Sequence, residues 1–571
     1  MSSSWDTKPH PAYNYYGTGN VEEVIPGVIK PLSADLVMAV SNEWARRLCD
    51  SVGVRDQVQY LPLPFDNIFA IVSGRVAVNI GWLGAFVGTY QVGAGSDMLS
   101  QFLQGDAEGM KSDVSADTAR AIKTRKAVEA LWAKAPAKAA KEVVKVERVR
   151  RASLDAKKVA KAASEALVDL VEANILLCGE LFLRHSQTTM PGGEYTGQLA
   201  AFLDAHAPGH PPEWTTSLTS ALGGVVSSEP IERIWALTQT VRKLKPVATA
   251  FKSGSLDAVR EGLARGGDDA WLTFGSELDA FISAYGFRGQ GELDPSTPDW
   301  GEDQTFVLSA IRTNLGVPAS RDPAKREAKA MAARAKLEAQ VEKRLPLDQR
   351  AAFRDLLEQT QRFVRARELT KANLARGTRA FRPWVQELGR RLAAEGALVA
   401  PDDVWMLRLT ELRDAVAAKV TARTLKGRVT KRAAERTALR GMEIPLVFTL
   451  PVDATPIAKP AEAATRFTGL AVSPGVATGR ARIILSASAE AETSIGEGEV
   501  LVAPFTDAAW TPLFWPAAAV VVERGGMLSH ASTVAREFGI PAVVGVINAT
   551  QLIAEGAIVT VDGNLGTVSV A

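Results

Sequence analysis

Cysteine and histidine are scarce in this chain: its 571 residues include two cysteines and five histidines. Cys49 and Cys178 cannot build the disulfide framework of a small secreted domain. No Cys/His cluster has zinc-type spacing, so no metal site is expected. An excess of one charge is missing too. Lysine and arginine total 66 against 64 aspartates and glutamates, a net charge of +2, which argues against a general nucleic-acid binder. The basic stretches 138–161 and 419–440 are interspersed with alanines and acidic residues and read as solvated helix faces. No apolar run reaches the length of a membrane span. Residues 1–16 lack the apolar centre of a signal peptide. There is no Gly-x-x-x-x-Gly-Lys-Ser/Thr phosphate loop. A cytoplasmic, soluble enzyme is the simplest expectation. The length allows two or three domains, and 46% apolar content allows a sizeable core.

What is present is ordered along the chain. Residues 1–106 mix glycine, aromatics and short apolar runs, with Pro26-Gly27 and Ser73-Gly74 as turn signals. From 114 to about 222, and again over 230–286, apolar residues recur at three- and four-residue spacing and predict helices. A Gly/Pro-rich loop follows at 286–301. Alanine- and arginine-rich helices are predicted over 323–395, interrupted near Pro346 and Pro383, and over 401–439. Residues 444–467 hold Pro445, Pro451, Pro456 and Pro460, which exclude a regular helix and predict an extended linker or an ordered strap. Beyond Gly469, short Val/Ile strands alternate with short helices, the texture of an α/β domain. The predicted architecture is multidomain: a large, mainly α-helical acceptor domain (1–443), the linker (444–467) and a small α/β domain (468–571).

One histidine stands where chemistry is easy. Ala517–Val522 reads as a buried strand, Gly525 and Gly526 break it, and Ser529 is a good N-cap for a short helix ended by Gly539. His530 then lies at a helix N-terminus, where free N–H groups and the dipole favour a phosphate. Arg536 is placed to add a charge-assisted hydrogen bond. A neutral imidazole is a competent nucleophile. The alternative is a capping or core-packed histidine on an α/β turn.

The segment around His530 resembles the swivelling phosphohistidine domain of the phosphoenolpyruvate-utilising enzymes. The resemblance rests on Gly469–Gly475 (GLAVSPG), Val500–Asp507 (VLVAPFTD), Gly525–Arg536 (GGMLSHASTVAR), Ala535–Gly545 (AREFGIPAVVG) and Val561–Gly563 (VDG). It implies that His530 is the phosphoryl carrier, with Gly525, Gly526, Ser529 and Arg536 as its phosphate loop. Leu528 departs from the Thr or Asn of many members, and Met-Leu before Ser-His is similar to the branch of rifampicin phosphotransferase and phenylphosphate synthase.

The first part of the chain resembles the acceptor domain of the same branch, through Asn20–Ser33, Gly74–Asn79, Tyr285–Asp294 with Pro298 and Trp300, and Arg365–Glu368 with Lys371. On that resemblance Arg367 and Lys371, one helical turn apart, hold the phosphoryl group as it leaves His530. Arg288 binds phosphate in bidentate fashion. Glu292 or Asp294 orients the acceptor or takes its proton. Arg75, Asn79, Arg365 and Glu368 line the acceptor site. Phe287 replaces a histidine of the family pattern. A structural ion-pair network among the 365–368 charges is the alternative.

These residues contain no ATP-grasp domain, so the resemblance implies a separate ATP-grasp subunit that uses ATP and Mg²⁺, with no cofactor bound tightly here. The expected activity is phosphoryl transfer from ATP through His530 to a hydroxyl of a small organic acceptor such as a phenol, an alcohol or an antibiotic. Three other readings are open: a phosphocarrier serving a partner protein, phosphorylation-driven dehydration of an alcohol, and a non-catalytic scaffold.

Overall fold

The computed structural model describes residues 2–19, 21–91, 118–253, 255–318, 321–456, 465–486, 495–507, 510–526 and 529–571. Of the motif and linker residues above, Asn20, residues 457–464 with Pro460, Met527 and Leu528 lie outside the described residues. The chain forms two compact units. One comprises Met1–Glu194, Leu293–Ser296 and Leu369–Ala458; the other comprises Tyr195–Glu292, Thr297–Glu368 and Lys459–Ala571. The units are built from interleaved segments, a division that periodicity along the chain does not report.

In the first unit, Phe69–Val72 and Arg75–Asn79 form a hairpin. Its two-residue turn, Ser73-Gly74, has φ of 50° and 71°, the left-handed pair that matches strand twist. Helices pack Leu32, Leu36, Val171, Trp384, Leu388 and Trp405 into one apolar core. Both cysteines are buried and unbridged, and burial pushes the Cys49 thiol up to about 12. The 444–467 stretch begins as a strap rather than a free tether. Val447–Phe448 pairs antiparallel with Tyr16–Gly17, and Phe448 stacks on Tyr16 at 5.6 Å. Met442–Glu443 pairs with Thr455–Pro456. The prolines dictate extended backbone here, and the apolar Phe448 fastens it.

Helix boundaries follow the breakers only in part. Pro346 does separate helix Pro323–Arg344 from helix Arg350–Arg379. The helix also breaks at Ala380, near Pro383 as expected, and Pro383 sits in the first turn of the new helix Phe381–Ala394, where a missing N–H breaks no intrahelical bond. Pro136 and Pro191 lie inside helices.

The second unit contains an eight-stranded sheet. At its centre Val476–Ile483, Val500–Ala503, Ala519–Val522 and Ala542–Val544 run parallel in that order. Leu470–Ser473 closes one side antiparallel, and Ile558–Asp562, Thr567–Val570 and Arg466–Thr468 extend the other. Strand residues alternate between two cores, as period-2 geometry requires. Val500, Val502, Val521 and Val543 face Ile553, Val559 and Val561. Leu501, Val520, Val522 and Val544 face Phe514, Val534 and Phe538, within a core that continues into Ile231, Trp235, Phe281 and Phe306. Burial on both faces explains the near-continuous valine runs. Strand Ala519–Val522, helix His530–Phe538 and strand Ala542–Val544 make one βαβ unit, which places His530 at the carboxyl end of a parallel strand, where open α/β sheets bind ligands.

Candidate active site

The turn that carries His530 is closed by two serines. Ser529 is the N-cap of helix His530–Phe538, its side chain accepting from Ser532 N–H. Ser529 N–H donates to the Gly526 carbonyl at 3.0 Å, and Ser532 Oγ donates to the same carbonyl at 2.7 Å. A Cβ on Gly525 would lie 3.0 Å from Ser529 Oγ, so glycine lets the strand pass close to the cap. Gly539 ends the helix in the left-handed conformation. The expected N-cap, helix and C-cap are all found.

His530 is 1% exposed. Its Nε2 and the Thr511 hydroxyl share a hydrogen bond of 2.9 Å, and Phe514 packs edge-on at 6.1 Å. Thr511 begins helix Thr511–Phe514. A bond to one ring nitrogen fixes the ring's rotation and couples to its tautomer. Thr511→Val is therefore expected to slow phosphorylation of His530 about fivefold, the worth of about 1 kcal/mol of positioning, with the urea unfolding midpoint nearly unchanged. Single-turnover labelling and a urea titration check both parts.

The loop 286–301 is tied to the same segment. Trp300 N–H donates to the Arg288 carbonyl at 2.7 Å, and Gly301 N–H to that of Gly286 at 2.9 Å, pinning the loop at its base. Arg288 and Glu292 are both fully buried and pair through Nη1 and Oε2 at 2.8 Å. The Arg288 Nε and Nη2 atoms have no hydrogen-bond partner among the described residues. Those two atoms form the edge that takes a phosphate or carboxylate in bidentate fashion. Phe287 lies with its ring 4.9 Å from the Arg288 guanidinium, so the residue that replaces the family histidine gives this cation an aromatic face. Gly291 N–H donates to Asp507 Oδ2 at 2.6 Å, and Trp510 N–H to the Asp507 carbonyl at 2.9 Å. Asp507 thereby links the Arg288 loop to the segment that holds His530. It appears in the sequence within the Val500–Asp507 motif, but nothing in its spacing singles it out, and Thr511 has no sequence signal at all.

Residues 495–566 match the mobile domain of the PEP-utilising enzymes, and residues 184–368 match the fourth domain of rifampicin phosphotransferase. The chain carries a phosphoenolpyruvate-utilising mobile domain. The similarity expected from the sequence is thereby found in these two segments. Among similar proteins, the prodigiosin synthesizing transferase PigC of Serratia marcescens is 34% identical over 303 residues, covering 51% of this chain and 33% of PigC. A rifampicin phosphotransferase of Streptomyces sviceus is 29% identical over 364 residues, 62% of this chain and 41% of its own length. A probable phosphoenolpyruvate synthase of Staphylothermus marinus is 48% identical over 112 residues, 20% of this chain and 13% of that protein. The chain spans well under half the length of these relatives.

The outer face of the mobile domain's histidine helix meets charges from two other segments. Arg536 is buried, and burial first, then the positive charge of Arg367, lowers its guanidinium to about 10, while Glu537 and Glu368 oppose the shift. Along the helix, Arg536 follows His530 by six residues, about 1.7 turns and about 9 Å of rise. Glu368 pairs with Arg367 and accepts from Ser227 Oγ. Glu537 accepts from Leu222 N–H at 3.0 Å, and Arg365 donates to the Leu222 carbonyl at 3.3 Å. Of these charges Arg367 and Glu368 form an ion pair, while Arg365 meets a main-chain carbonyl.

The other expected acceptor residues have partners within the fold. Arg75 donates to the carbonyls of Leu439 and Met442. Asn79 caps helix Ile80–Gly88 by accepting from Trp82 N–H at 3.0 Å. Asp294 Oδ1 accepts from the N–H and hydroxyl of Ser296, each at 2.8 Å. Lys371, one turn beyond Arg367, donates to Glu23 at 3.4 Å. No group of three or more His, Cys, Asp or Glu suited to a metal occurs among the described residues.

An acidic pair packs near Glu537. Burial first, then a hydrogen bond with Glu232, pushes Glu327 up to about 7 from an ordinary 4.5. A carboxyl whose folded value exceeds its unfolded value keeps its proton in the folded protein, so stability falls as pH rises from about 4.5 to about 7. Glu327 is partly solvated, which reduces the effect to about 1 kcal/mol. Glu327→Gln is expected to shrink the stability difference between pH 5 and pH 8 by that amount in urea unfolding. An unchanged difference would show that Glu327 is ionised throughout.

Proposed function

We propose that this chain is the phosphohistidine-carrying, acceptor-binding subunit of a split ATP-dependent phosphotransferase. A separate ATP-grasp subunit binds ATP and Mg²⁺ and supplies the phosphoryl group; the family resemblance makes it the β-phosphoryl, leaving AMP and phosphate. A neutral nitrogen of His530 attacks the β-phosphorus, the P–O bond to AMP breaks and an N–P bond forms; water then cleaves the β–γ P–O–P bond, releasing phosphate and leaving one phosphoryl group on the imidazole. An acceptor hydroxyl of a phenol, an alcohol or an antibiotic then attacks the same phosphorus. The N–P bond breaks back to the imidazole, and the hydroxyl proton leaves to a base.

The observation that carries this reading is the setting of His530. It sits at the N-terminus of a capped helix, where dipole and N–H groups favour a phosphoryl group, with one ring nitrogen held by Thr511. The Arg288 Nε/Nη2 edge, tied through Gly291 and Asp507 to the segment that leads to Thr511, is suited to steadying the charge that spreads over phosphoryl oxygens during transfer. Glu292 pairs with Arg288 through Oε2 alone, and its Oε1 has no hydrogen-bond partner among the described residues, so Glu292 is the acid suited to orienting the acceptor hydroxyl or taking its proton.

Positional labelling tests the donor half. With the ATP-grasp partner and Mg²⁺ present, ATP labelled at the β-phosphorus is expected to label His530 in an alkali-stable, acid-labile form and then a hydroxyl acceptor. Label from the γ-phosphorus alone would replace the dikinase course with simple kinase chemistry. Label on His530 that passes to a protein but to no small hydroxyl compound would move the phosphocarrier reading ahead.

A further inference from the structure

The opposite end of the histidine helix borders a basic cleft. Lys325 and Lys329, four residues apart on helix Pro323–Arg344, are exposed and lie about 6 Å apart along one face. With Arg321, Arg326, Trp515 and Gly539 they line a cleft of about 580 Å³, a volume in the range of small-ligand sites. Arg326 reaches the mobile domain: it donates to the Gly539 carbonyl at 3.1 Å and lies 5.8 Å from the Trp515 ring centre. Arg321 pairs with Glu497 at 3.1 Å. Asp322 Oδ1 accepts from Ala324 N–H at 3.0 Å, capping the helix. Four cations therefore converge against two carboxylates, Asp322 and Glu497. Neither carboxylate pairs with Lys325, Lys329 or Arg326 in this structure. Both lysine ammonium groups can turn into the cleft at little conformational cost, because their stems stand in solvent.

We propose that this cleft binds a small, multiply charged phosphate, diphosphate or larger, at a site separate from His530. Nine residues, about 13 Å, separate His530 from Gly539 along the helix, so the two sites do not share a ligand. The lysine spacing suits two phosphoryl groups of one molecule, and the arginines offer planar donors to a third. Because Arg321 and Arg326 already touch the mobile domain, the bound anion joins helix Pro323–Arg344 to it.

Calorimetric titration of the full chain with inorganic triphosphate tests the proposal, beside Lys325→Glu/Lys329→Glu and His530→Ala. Saturable 1:1 binding is expected that weakens as salt rises, falls at least tenfold in the double variant and stays within twofold in His530→Ala. Absence of saturable binding would overturn the proposal, and so would a double variant that binds like the wild type. Loss of binding in His530→Ala would place the anion at the carrier histidine and overturn it as well. The side chains of the exposed lysines make no hydrogen bond or ion pair among the described residues, so the double variant is expected to unfold at the wild-type urea concentration. Charging of His530, followed in parallel, is expected to be unchanged in it, which separates this site from the transfer reaction.

Discussion

His530→Asn is expected to bring acid-labile phosphate on the chain to background and to slow ATP-driven phosphorylation of the acceptor by at least about 10⁴-fold. The size follows from the route. A relay through an N–P bond splits one transfer into two displacements, each with its own positioned nucleophile. Asparagine preserves polarity and helix-start preference but has no nucleophilic ring nitrogen, so the first displacement has no acceptor atom. The effect on stability is expected to be small by comparison. The hydrogen bond with Thr511 is worth about 1 kcal/mol, and the helix retains its Ser529 cap. Phosphate mapping under alkaline conditions and a urea titration of the same sample read the two quantities separately. A variant that lost phosphorylation together with its fold would say nothing about the carrier, which is why both are read.

The second large effect concerns the buried pair at the base of the 286–301 loop. Glu292→Leu is expected to cost about 3–5 kcal/mol, because it leaves the Arg288 cation buried without its counter-charge. Arg288 and Glu292 have side-chain exposures of 1% and 0%, so water cannot take the place of the lost partner. The double change Arg288→Met/Glu292→Leu removes both charges and is expected to recover most of that loss. It also separates a structural role from a chemical one. If the pair serves only the fold, the stable double variant transfers phosphate at the wild-type rate. The open Nε/Nη2 edge of Arg288 leads us to expect the other result: His530 is still charged, but transfer to the acceptor falls by about 10²-fold or more, the scale seen when one charge-stabilising donor is removed. Urea midpoints and single-turnover transfer rates give the two answers.

What could be read in the sequence was local. Ser529, Gly525 and Gly539 announce a capped helix after a valine-rich strand because each acts through its own backbone geometry, and the structure places each as expected. The sheet's valine runs are legible for the same reason: burial on both faces leaves no polar alternation. Thr511 was not legible. Its partner is 19 residues away, and a threonine before a proline looks like any helix start. Asp507 was legible only as part of a motif, since its partner at Gly291 is 216 residues distant. Arg75 and Asn79 show the converse. They sit in a stretch chosen for its resemblance, and in the structure carbonyl groups and a helix start engage their side chains. The interleaved units were hidden entirely, because hydrophobic periodicity reports a helix's buried face but not which distant segment covers it.

The central claim is that His530 accepts a phosphoryl group. The most direct measurement is mass-spectrometric mapping of phosphate on the chain isolated from its native host and handled throughout at alkaline pH, with His530→Ala as the control. The account predicts phosphate on His530 that survives base, is lost in acid and is absent from the control. A chain unphosphorylated at His530 even when incubated with the ATP-grasp partner, ATP and Mg²⁺ would contradict the account.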